Sequence, residues 1–297
     1  MTDTEGLETP PIQLPIAPGA VRTVALTELD RAAQFVQALG LDQWKQASAA
    51  SGWSMGDVVA HLTLVVGLYT RVLRAAKSGR SARGVWKLLG QVSKRIGSTA
   101  SPAFHALNKA APRVMDRALA PEVIRGQFSA SVRSLRTEIE GLDSGDFTRP
   151  VYYMGGPWPL SFFLAQLVNE LSLHVWDVAS KLSPSTTLSR EATSVIPWFY
   201  WSGTPILLRL PEGVRGSVQV TLDDPPTEMW WQVDGPRSQP HTGRAANADV
   251  TITGGNAMYA LVVSHREKLS DALTSTMLKV SGDEALAQKF LGAWRLV

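Results

Sequence analysis

Apolar residues recur at helical spacing in four long segments of the first two thirds of the chain. This pattern predicts amphipathic helices over residues 19–39, 54–76, 121–141 and 160–182. Ser54 and Asp57 have the spacing of a capping box at the start of the second helix. Four long helices of this kind predict a helix bundle, whose inward faces are a common place for metal sites.

After about residue 183 the helical periodicity gives way to alternation of apolar and polar residues. Alternation predicts strands with one buried face over residues 217–222, 228–233 and 248–253. Helices are predicted over residues 190–202, 256–264 and 283–292. Ser281 and Glu284 have capping-box spacing at the start of the last helix. The C-terminal third is therefore predicted to be a smaller α+β domain.

These patterns divide the chain into a tail and two domains. Residues 1–18 are acidic and Pro-rich and are predicted to be a flexible tail, residues 19–183 a four-helix bundle, and residues 184–297 the α+β domain. The start of the chain has neither a basic segment nor an apolar core like that of a signal peptide. No apolar run approaches the length of a membrane span. We therefore expect a cytoplasmic protein without a membrane span.

The chain has no cysteine, which excludes disulfides, cysteine metal ligands and a cysteine nucleophile. Thiol chemistry would need a thiol from a small molecule. The net charge is only +3, but residues 77–120 carry nine Lys or Arg against one acid, Asp116. Within this basic segment GVWKLLGQVSKRIG predicts an amphipathic helix. It either packs on its own protein, closes over the site as a lid that attracts anionic substrates, or contacts an anionic surface. No nucleic-acid reading module accompanies the charge, so nucleic acid is not an expected partner.

The candidate chemistry lies on two apolar helix faces. In the fourth helix one stripe carries a glutamate and a histidine one turn apart, and consists of Phe163, Leu167, Glu170, His174 and Val178. In the second helix a similar stripe carries one histidine, and consists of Val58, His61, Val65 and Leu68. If the stripes meet, two imidazoles and one carboxylate could bind a divalent metal and leave positions open for substrate. Zinc leads this prediction, with ferrous iron, nickel and manganese as alternatives.

Simpler interpretations compete with a metal site. A Glu/His pair at this spacing is common on solvated helix faces, and a lone histidine such as His61 is often a hydrogen-bonded core residue. Asp177 could support His174 from outside the ligand set, but we expect an exposed aspartate at this position. The histidines at 105, 241 and 265 are expected at the surface. The sequence has no Gly-rich phosphate loop, no serine nucleophile elbow and no pair of acids typical of glycosidases.

Three stretches of the sequence resemble a known family. GWSMGDVVAHL, LVNELSLHVWDVA and ADVTIT…VSGDEALAQKFL occur in the order found in the mycothiol-dependent maleylpyruvate isomerase-like family. The resemblance covers nearly the whole chain after residue 20 except the basic segment 77–120, which looks like a helical insertion. It implies a DinB-like four-helix metal-binding domain followed by an α+β domain with an antiparallel sheet, similar to sterol carrier protein 2.

The resemblance also implies a set of functional residues. By position in the motifs, the metal ligands of the family fall on His61, Glu170 and His174. The metal, usually zinc, is expected to activate mycothiol for addition to a small electrophile, in S-transfer or in cis–trans isomerisation. The family has an arginine after a turn in its C-terminal domain. Here the corresponding stretch is LVVSHREKL, so Arg266 is the candidate for contact with the thiol or the substrate. The insertion indicates a substrate other than maleylpyruvate.

Two other functions fit parts of the sequence. The aromatic segments PWFYW and EMWWQV could belong to a non-catalytic protein that binds an apolar small molecule or lipid. Alternatively, the metal could serve a hydrolase or lyase of specialised metabolism that uses no thiol. Metal content separates the first alternative from the enzyme, and a panel of thiols separates the second.

Overall fold

The computed structural model describes residues 12–78, 102–153 and 156–295, which form two compact units. The N-terminal unit spans Pro18–Thr186, and the C-terminal unit runs from Thr187 onward together with residues 12–17. The prediction of a flexible tail over residues 1–18 is wrong for its described part, residues 12–18. Ile12 N donates to Ser202 O at 2.8 Å and Leu14 is buried, so this part of the tail is held by the protein. Residues 1–11 lie outside the described residues.

Long helices build the N-terminal unit, and the predicted fold class is confirmed. They are α1 (Pro18–Ala38), α2 (Met55–Lys77), α3 (Pro102–Ala118), α4 (Pro121–Glu140) and α5 (Leu160–Leu182). Helices α1, α2, α4 and α5 correspond to the predicted four, and their ends agree with the prediction to within one residue. Helix α1 packs against α4 and α5, and α2 packs against the same two helices. The apolar stripes of the sequence therefore meet inside this bundle.

The start of α2 is fixed by the capping box that the sequence predicts. Ser54 Oγ accepts from Asp57 N at 3.0 Å, and Asp57 Oδ2 accepts from Ser54 N at 2.9 Å. By length and composition α2 is also apolar enough to cross a membrane, although 61% of its most apolar window is buried within the protein. A buried core helix gives the same weak signal.

Two parts of the N-terminal unit differ from the simple pattern. Helix α3 is the described end of the basic segment and packs against α2. The predicted amphipathic helix GVWKLLGQVSKRIG lies outside the described residues. A short hairpin of β1 (Pro150–Tyr153) and β2 (Gly156–Pro159) precedes α5 and was not expected. Its strands have four residues each and contain proline, so they show no readable alternation.

A five-stranded sheet forms the centre of the C-terminal unit. The strands are β3 (Arg215–Leu222), β4 (Thr227–Asp234), β5 (Gln239–Thr242), β6 (Val250–Gly254) and β7 (Leu278–Gly282), in the order β5-β4-β3-β6-β7. Only the β3–β6 pair is parallel, with Val218 opposite Val250, so the predicted antiparallel sheet is mixed at this one pair. The alternation predicted β3, β4 and β6, but the short strands β5 and β7 lack a clear apolar face and were missed.

Short helices cover this sheet, with two corrections to the predicted ones. They are α6 (Arg190–Thr193), α7 (Ile196–Ser202), α8 (Thr204–Leu207), α9 (Asn256–Val263), α10 (Leu269–Thr274) and α11 (Glu284–Gly292). The predicted helix 190–202 is divided in two, because Pro197 lacks an N–H and fits only the first turn of a new helix. The capping box at Ser281 is wrong, since β7 continues to Gly282. Asp283 caps α11 instead and accepts from Leu286 N at 2.9 Å.

Candidate metal centre

Two histidines and a glutamate meet where α2 lies against α5. His61 comes from the second turn of α2, and Glu170 and His174 lie one turn apart on α5. Glu170 Oε2 is 3.4 Å from His61 Nε2 and 3.5 Å from His174 Nε2. One ligand atom from each residue lies within 4.8 Å of the others. The structure therefore brings together the three residues that the helix stripes indicated.

The surroundings of this cluster are apolar and largely closed to water. The side chains of His61, His174 and Glu170 are only 4%, 12% and 11% exposed. Val58 of α2 and Phe163 and Leu167 of α5 are fully buried, as their positions on the same helix faces predict. A buried carboxylate is costly unless other groups compensate its charge. Among the described residues, the two imidazoles are the groups that compensate the charge of Glu170, and a bound cation would do the same.

Asp177 corrects an expectation from the sequence. Its side chain is 0% exposed, whereas an exposed aspartate was expected, and its Oδ2 lies 2.8 Å from His174 Nδ1. Because a carboxylate accepts, His174 donates from Nδ1, and in the neutral imidazole the lone pair then resides on Nε2. Nε2 is the atom directed at Glu170. The spacing of three residues after His174 was the available signal for this contact.

In the metal-free cluster the neighbouring groups favour the ionised form of Glu170 and the protonated form of His174. Burial would raise the pKa of Glu170, but hydrogen bonds to His174 and His61 and their positive charges lower it well below its usual range. Burial would also lower the pKa of His174, but hydrogen bonds to Asp177 and Glu170 and their negative charges raise it. In the metal-free protein His174 therefore retains a proton to higher pH than an ordinary histidine.

The donor set fits a divalent transition metal. Imidazole nitrogens and carboxylate oxygens bind zinc at about 2 Å, so neighbouring ligand atoms around one ion lie about 3–4 Å apart. The separations of Glu170 from the two histidines fall in this interval. Asp177 would hold the His174 ring from behind, as carboxylates commonly do for metal-binding histidines. With three protein ligands, such an ion would keep a position open. The site therefore fits a zinc-type metal chemically and geometrically.

A tight loop places Trp53 beside this cluster. The Trp53 ring centroid is 5.0 Å from that of His61 and 5.9 Å from that of His174. Ser48 N donates to Trp53 O at 3.0 Å, and Ala49 N donates to Asp177 O at 2.7 Å. The loop is thus tied to the residue that holds His174. Helix periodicity does not indicate a place for Trp53 in the site, because this residue lies before the cap of α2, outside the helix.

Helix α3 also holds this loop. Asp116, the one acid in the basic segment, accepts from Trp44 Nε1 at 2.5 Å and from Lys45 Nζ at 2.7 Å. Arg113 donates to Gly52 O. The approach of Trp44 to α2 needs Gly56, where a Cβ would lie 2.1 Å from the indole nitrogen. The described end of the basic segment therefore supports the loop that carries Trp53.

Arg266 lies in the C-terminal unit, whereas the cluster is built from residues of the N-terminal unit alone. It follows α9, where its N donates to Leu261 O at 2.8 Å and its Nη1 donates to Ser264 O at 3.1 Å. Among the other histidines, His241 stacks on Trp230 with ring centroids 4.1 Å apart, and His265 Nε2 lies 2.6 Å from Trp294 O. Both have ordinary structural contacts. A role for Arg266 remains a prediction.

Comparison with known families identifies the two domains. The profile of the mycothiol maleylpyruvate isomerase N-terminal domain matches residues 25–179, which is more than half of the chain. The chain belongs to the mycothiol-dependent maleylpyruvate isomerase family. The profile of the SCP-2 sterol transfer family matches residues 207–294, as the sequence motifs indicated. A comparison with curated proteins gave no match.

Solved structures agree with this family in fold. A crystal structure of the mycothiol-dependent maleylpyruvate isomerase aligns over 90% of this chain and 93% of its own, with 14% sequence identity and a TM-score of 0.55. A histidine-to-alanine mutant of that isomerase gives the same coverage and identity with a TM-score of 0.56. At 14% identity, this likeness shows that the chain shares the fold of the isomerase and nothing further about its chemistry.

Proposed function

We propose that this protein is a divalent-metal-dependent enzyme that uses mycothiol to attack a small electrophile, as an S-transferase or as a cis–trans isomerase. The observation that carries the proposal is the meeting of His61, Glu170 and His174 around one carboxylate oxygen, with His174 held by Asp177. Family membership supports the thiol, and the absence of cysteine is consistent with a thiol that arrives on a small molecule. Cytoplasm is the compartment we propose.

The roles of the chain's own residues follow from their contacts. His61, Glu170 and His174 would hold the metal, for which zinc is the best chemical match. When bound, such a cation lowers the pKa of a thiol and favours the thiolate at neutral pH. Glu170 contributes a negative charge that offsets part of the cation's charge, and Asp177 fixes the ring of His174. The low exposure of these side chains keeps competing water from the reacting sulfur.

Two outcomes of the sulfur–carbon bond define the two reactions. Once sulfur has added to an unsaturated electrophile, rotation about the former double bond and loss of the sulfur give the isomer and return the thiol. If the neighbouring carbon, which received the electron pair of the double bond, takes up a proton instead, the sulfur–carbon bond is retained and an S-conjugate results. We propose Arg266 as a contact for the thiol or the electrophile, on family position alone.

Metal content and thiol consumption test this proposal together. Purified protein should contain about one zinc per chain by elemental analysis, and His61→Ala and His174→Ala should each lose it. Zinc-loaded protein should consume mycothiol in the presence of an electrophile panel that includes maleylpyruvate, or isomerise the latter, and both alanine variants should be inactive. His241→Ala is the matched control, because this histidine stacks on Trp230 in the C-terminal unit. Equal activity of metal-free and zinc-loaded protein would contradict the proposal, and activity without mycothiol would favour a hydrolase or lyase.

A further inference from the structure

Two buried polar atoms, one beside the metal cluster and one a helical turn before Glu170, lack a hydrogen-bond partner in the part of the chain that the structure describes. Trp53 Nε1 and Gln166 Oε1 are both buried and have no hydrogen-bond partner among the residues that the structure describes. A buried donor or acceptor without a partner is destabilising, and such groups are uncommon in native structures. Both atoms therefore need an explanation.

Trp53 is next to the ligand histidines. Its ring centroid lies 5.0 Å from that of His61 and 5.9 Å from that of His174, and the indole nitrogen belongs to this ring. Its loop is fixed by hydrogen bonds from Ser48 and Trp53 backbone groups and by the bond from Ala49 to Asp177. The donor is thus positioned beside the cluster before any ligand arrives.

Gln166 lies on the α5 face that contacts α2. It is one turn before Glu170 and is only 1% exposed. The two helices touch on either side of it along α5: Phe163 stacks on Tyr69 with centroids 4.3 Å apart, and Glu170 meets His61 one turn further on. Gln166 is therefore buried in the stretch of α5 between these two contacts with α2.

We propose that Trp53 and Gln166 recognise an amide group next to the sulfur of the thiol substrate. This inference rests on the proposed function, since it assumes that a thiol binds at the cluster. Trp53 offers an N–H donor and Gln166 offers a carbonyl acceptor, and a secondary amide presents the complementary carbonyl and N–H on adjacent atoms. A site whose buried polar groups await such partners discriminates against analogues that lack them. Both residues position the substrate and take no part in the bond changes.

The test compares two thiols on cobalt-loaded protein, followed by the sulfur-to-cobalt absorption band. N-acetylcysteamine carries an amide and propanethiol does not. The wild-type protein should bind N-acetylcysteamine about tenfold more tightly than propanethiol. Trp53→Phe and Gln166→Met should each remove most of this preference and leave the Kd for propanethiol unchanged. Cobalt content and far-UV circular dichroism verify that each variant is folded and loaded.

Asn169→Leu is the matched control for a buried amide. Asn169 Oδ1 is also without a partner, but this residue shares its helix face with Ser172, which donates to Glu28 of α1. The variant should retain the full preference. As a second measurement, the indole N–H resonance of Trp53, assigned by its loss in Trp53→Phe, should shift with N-acetylcysteamine and not with propanethiol.

The outcomes separate this inference from the proposed function. Two results would overturn the amide contact and leave the metal–thiol function intact. One is equal affinity of the wild-type protein for the two thiols. The other is a preference for N-acetylcysteamine that persists in both Trp53→Phe and Gln166→Met. Ordered water at both atoms would give the first of these results. If neither thiol binds the cobalt-loaded protein, both proposals are overturned.

Discussion

The two units of the molecule bury different chemistry. Among the described residues, every acid or histidine in the buried class lies in the N-terminal unit: Glu28, Asp57, His61, Asp116, Asp146 and Asp177. Both units bury large rings, but among the described residues the C-terminal unit has no acid or histidine in the buried class, and its core includes Tyr200, Trp231, Tyr259, Phe290 and Trp294. Burial of an ionisable group is costly without a partner, whereas burial of a ring is favourable without one. Each buried ionisable group of the N-terminal unit therefore needs a partner that compensates the cost of its burial.

Most of those groups have a structural role that a hydrogen bond explains. Asp57 caps α2, Asp116 holds Trp44 and Lys45, and Glu28 accepts from Ser172 at 3.0 Å. The cluster at His61 is different, because two imidazoles converge on one carboxylate oxygen. Such convergence is suited to a shared cation, and this difference separates a candidate site from a satisfied core.

The largest expected effect is a loss of stability when a ring is removed from the core of the C-terminal unit. Phe290 is fully buried and its ring centroid lies 5.0 Å from that of Trp231 and 5.6 Å from that of Trp294. Phe290→Ala should lower the free energy of unfolding by about 3–5 kcal/mol, because it removes ring contacts and leaves a cavity. Chemical denaturation measures this loss. Zinc content should not change, since the proposed ligands belong to the N-terminal unit, and a parallel loss of zinc would contradict the division of roles.

The next effect concerns the carboxylate that holds His174, one of the proposed metal ligands. Asp177→Asn retains the size of the side chain but replaces the carboxylate that accepts from His174 Nδ1. We expect zinc affinity to fall by about 10–100-fold, the usual cost of losing such a partner. Competition with a chromogenic chelator measures the affinity. Asp146→Asn is the control, because this buried acid binds Arg149 and the backbone of Asp143 away from the cluster. An equal loss in both variants would indicate a general effect on stability.

The fold could be predicted further from the sequence than the site could. Helical periodicity located α1, α2, α4 and α5 because their apolar faces are long, and the same stripes selected His61, Glu170 and His174. Contacts across the loop before α2 were beyond this reasoning, since no periodicity relates Trp53 to His174. The burial of Asp177 was misjudged because sequence spacing shows which residues share a face and not how deeply a neighbouring loop covers it. The β1–β2 hairpin was too short and too rich in proline to show a pattern.

A pH titration sharpens the account of the cluster. The pKa of His174 is raised in the metal-free protein, so its imidazolium persists to higher pH than that of an ordinary histidine, and metal binding at Nε2 must displace that proton. The apparent zinc affinity should therefore rise with pH, by up to about tenfold per pH unit below that raised pKa, and level off above it. Glu170 has a lowered pKa and stays ionised, so it adds no pH dependence near neutrality.

Asp177→Asn is the informative variant for this titration. Two carboxylates raise the pKa of His174, and Asp177 makes the larger contribution. The substitution removes the charge of that carboxylate. The rise in zinc affinity should then occur at lower pH than in the wild-type protein, even though the affinity at the plateau is weaker. Isothermal titration calorimetry in buffers of different ionisation enthalpy counts the protons released. A profile that does not move would mean that another group controls the dependence.

The smallest effect concerns an unsatisfied atom outside the site. Tyr259 is fully buried among rings of the C-terminal unit, its Oη has no partner among the described residues, and burial raises the pKa of its hydroxyl. Tyr259→Phe removes this hydroxyl and keeps the ring. Because it relieves the cost of an unpaired polar group, we expect the free energy of unfolding to rise by about 1 kcal/mol. A loss of stability on chemical denaturation would show that the hydroxyl is satisfied, for example by buried water. Buried water could then also satisfy Trp53 Nε1 and Gln166 Oε1, which would weaken the inference that these two atoms bind a ligand.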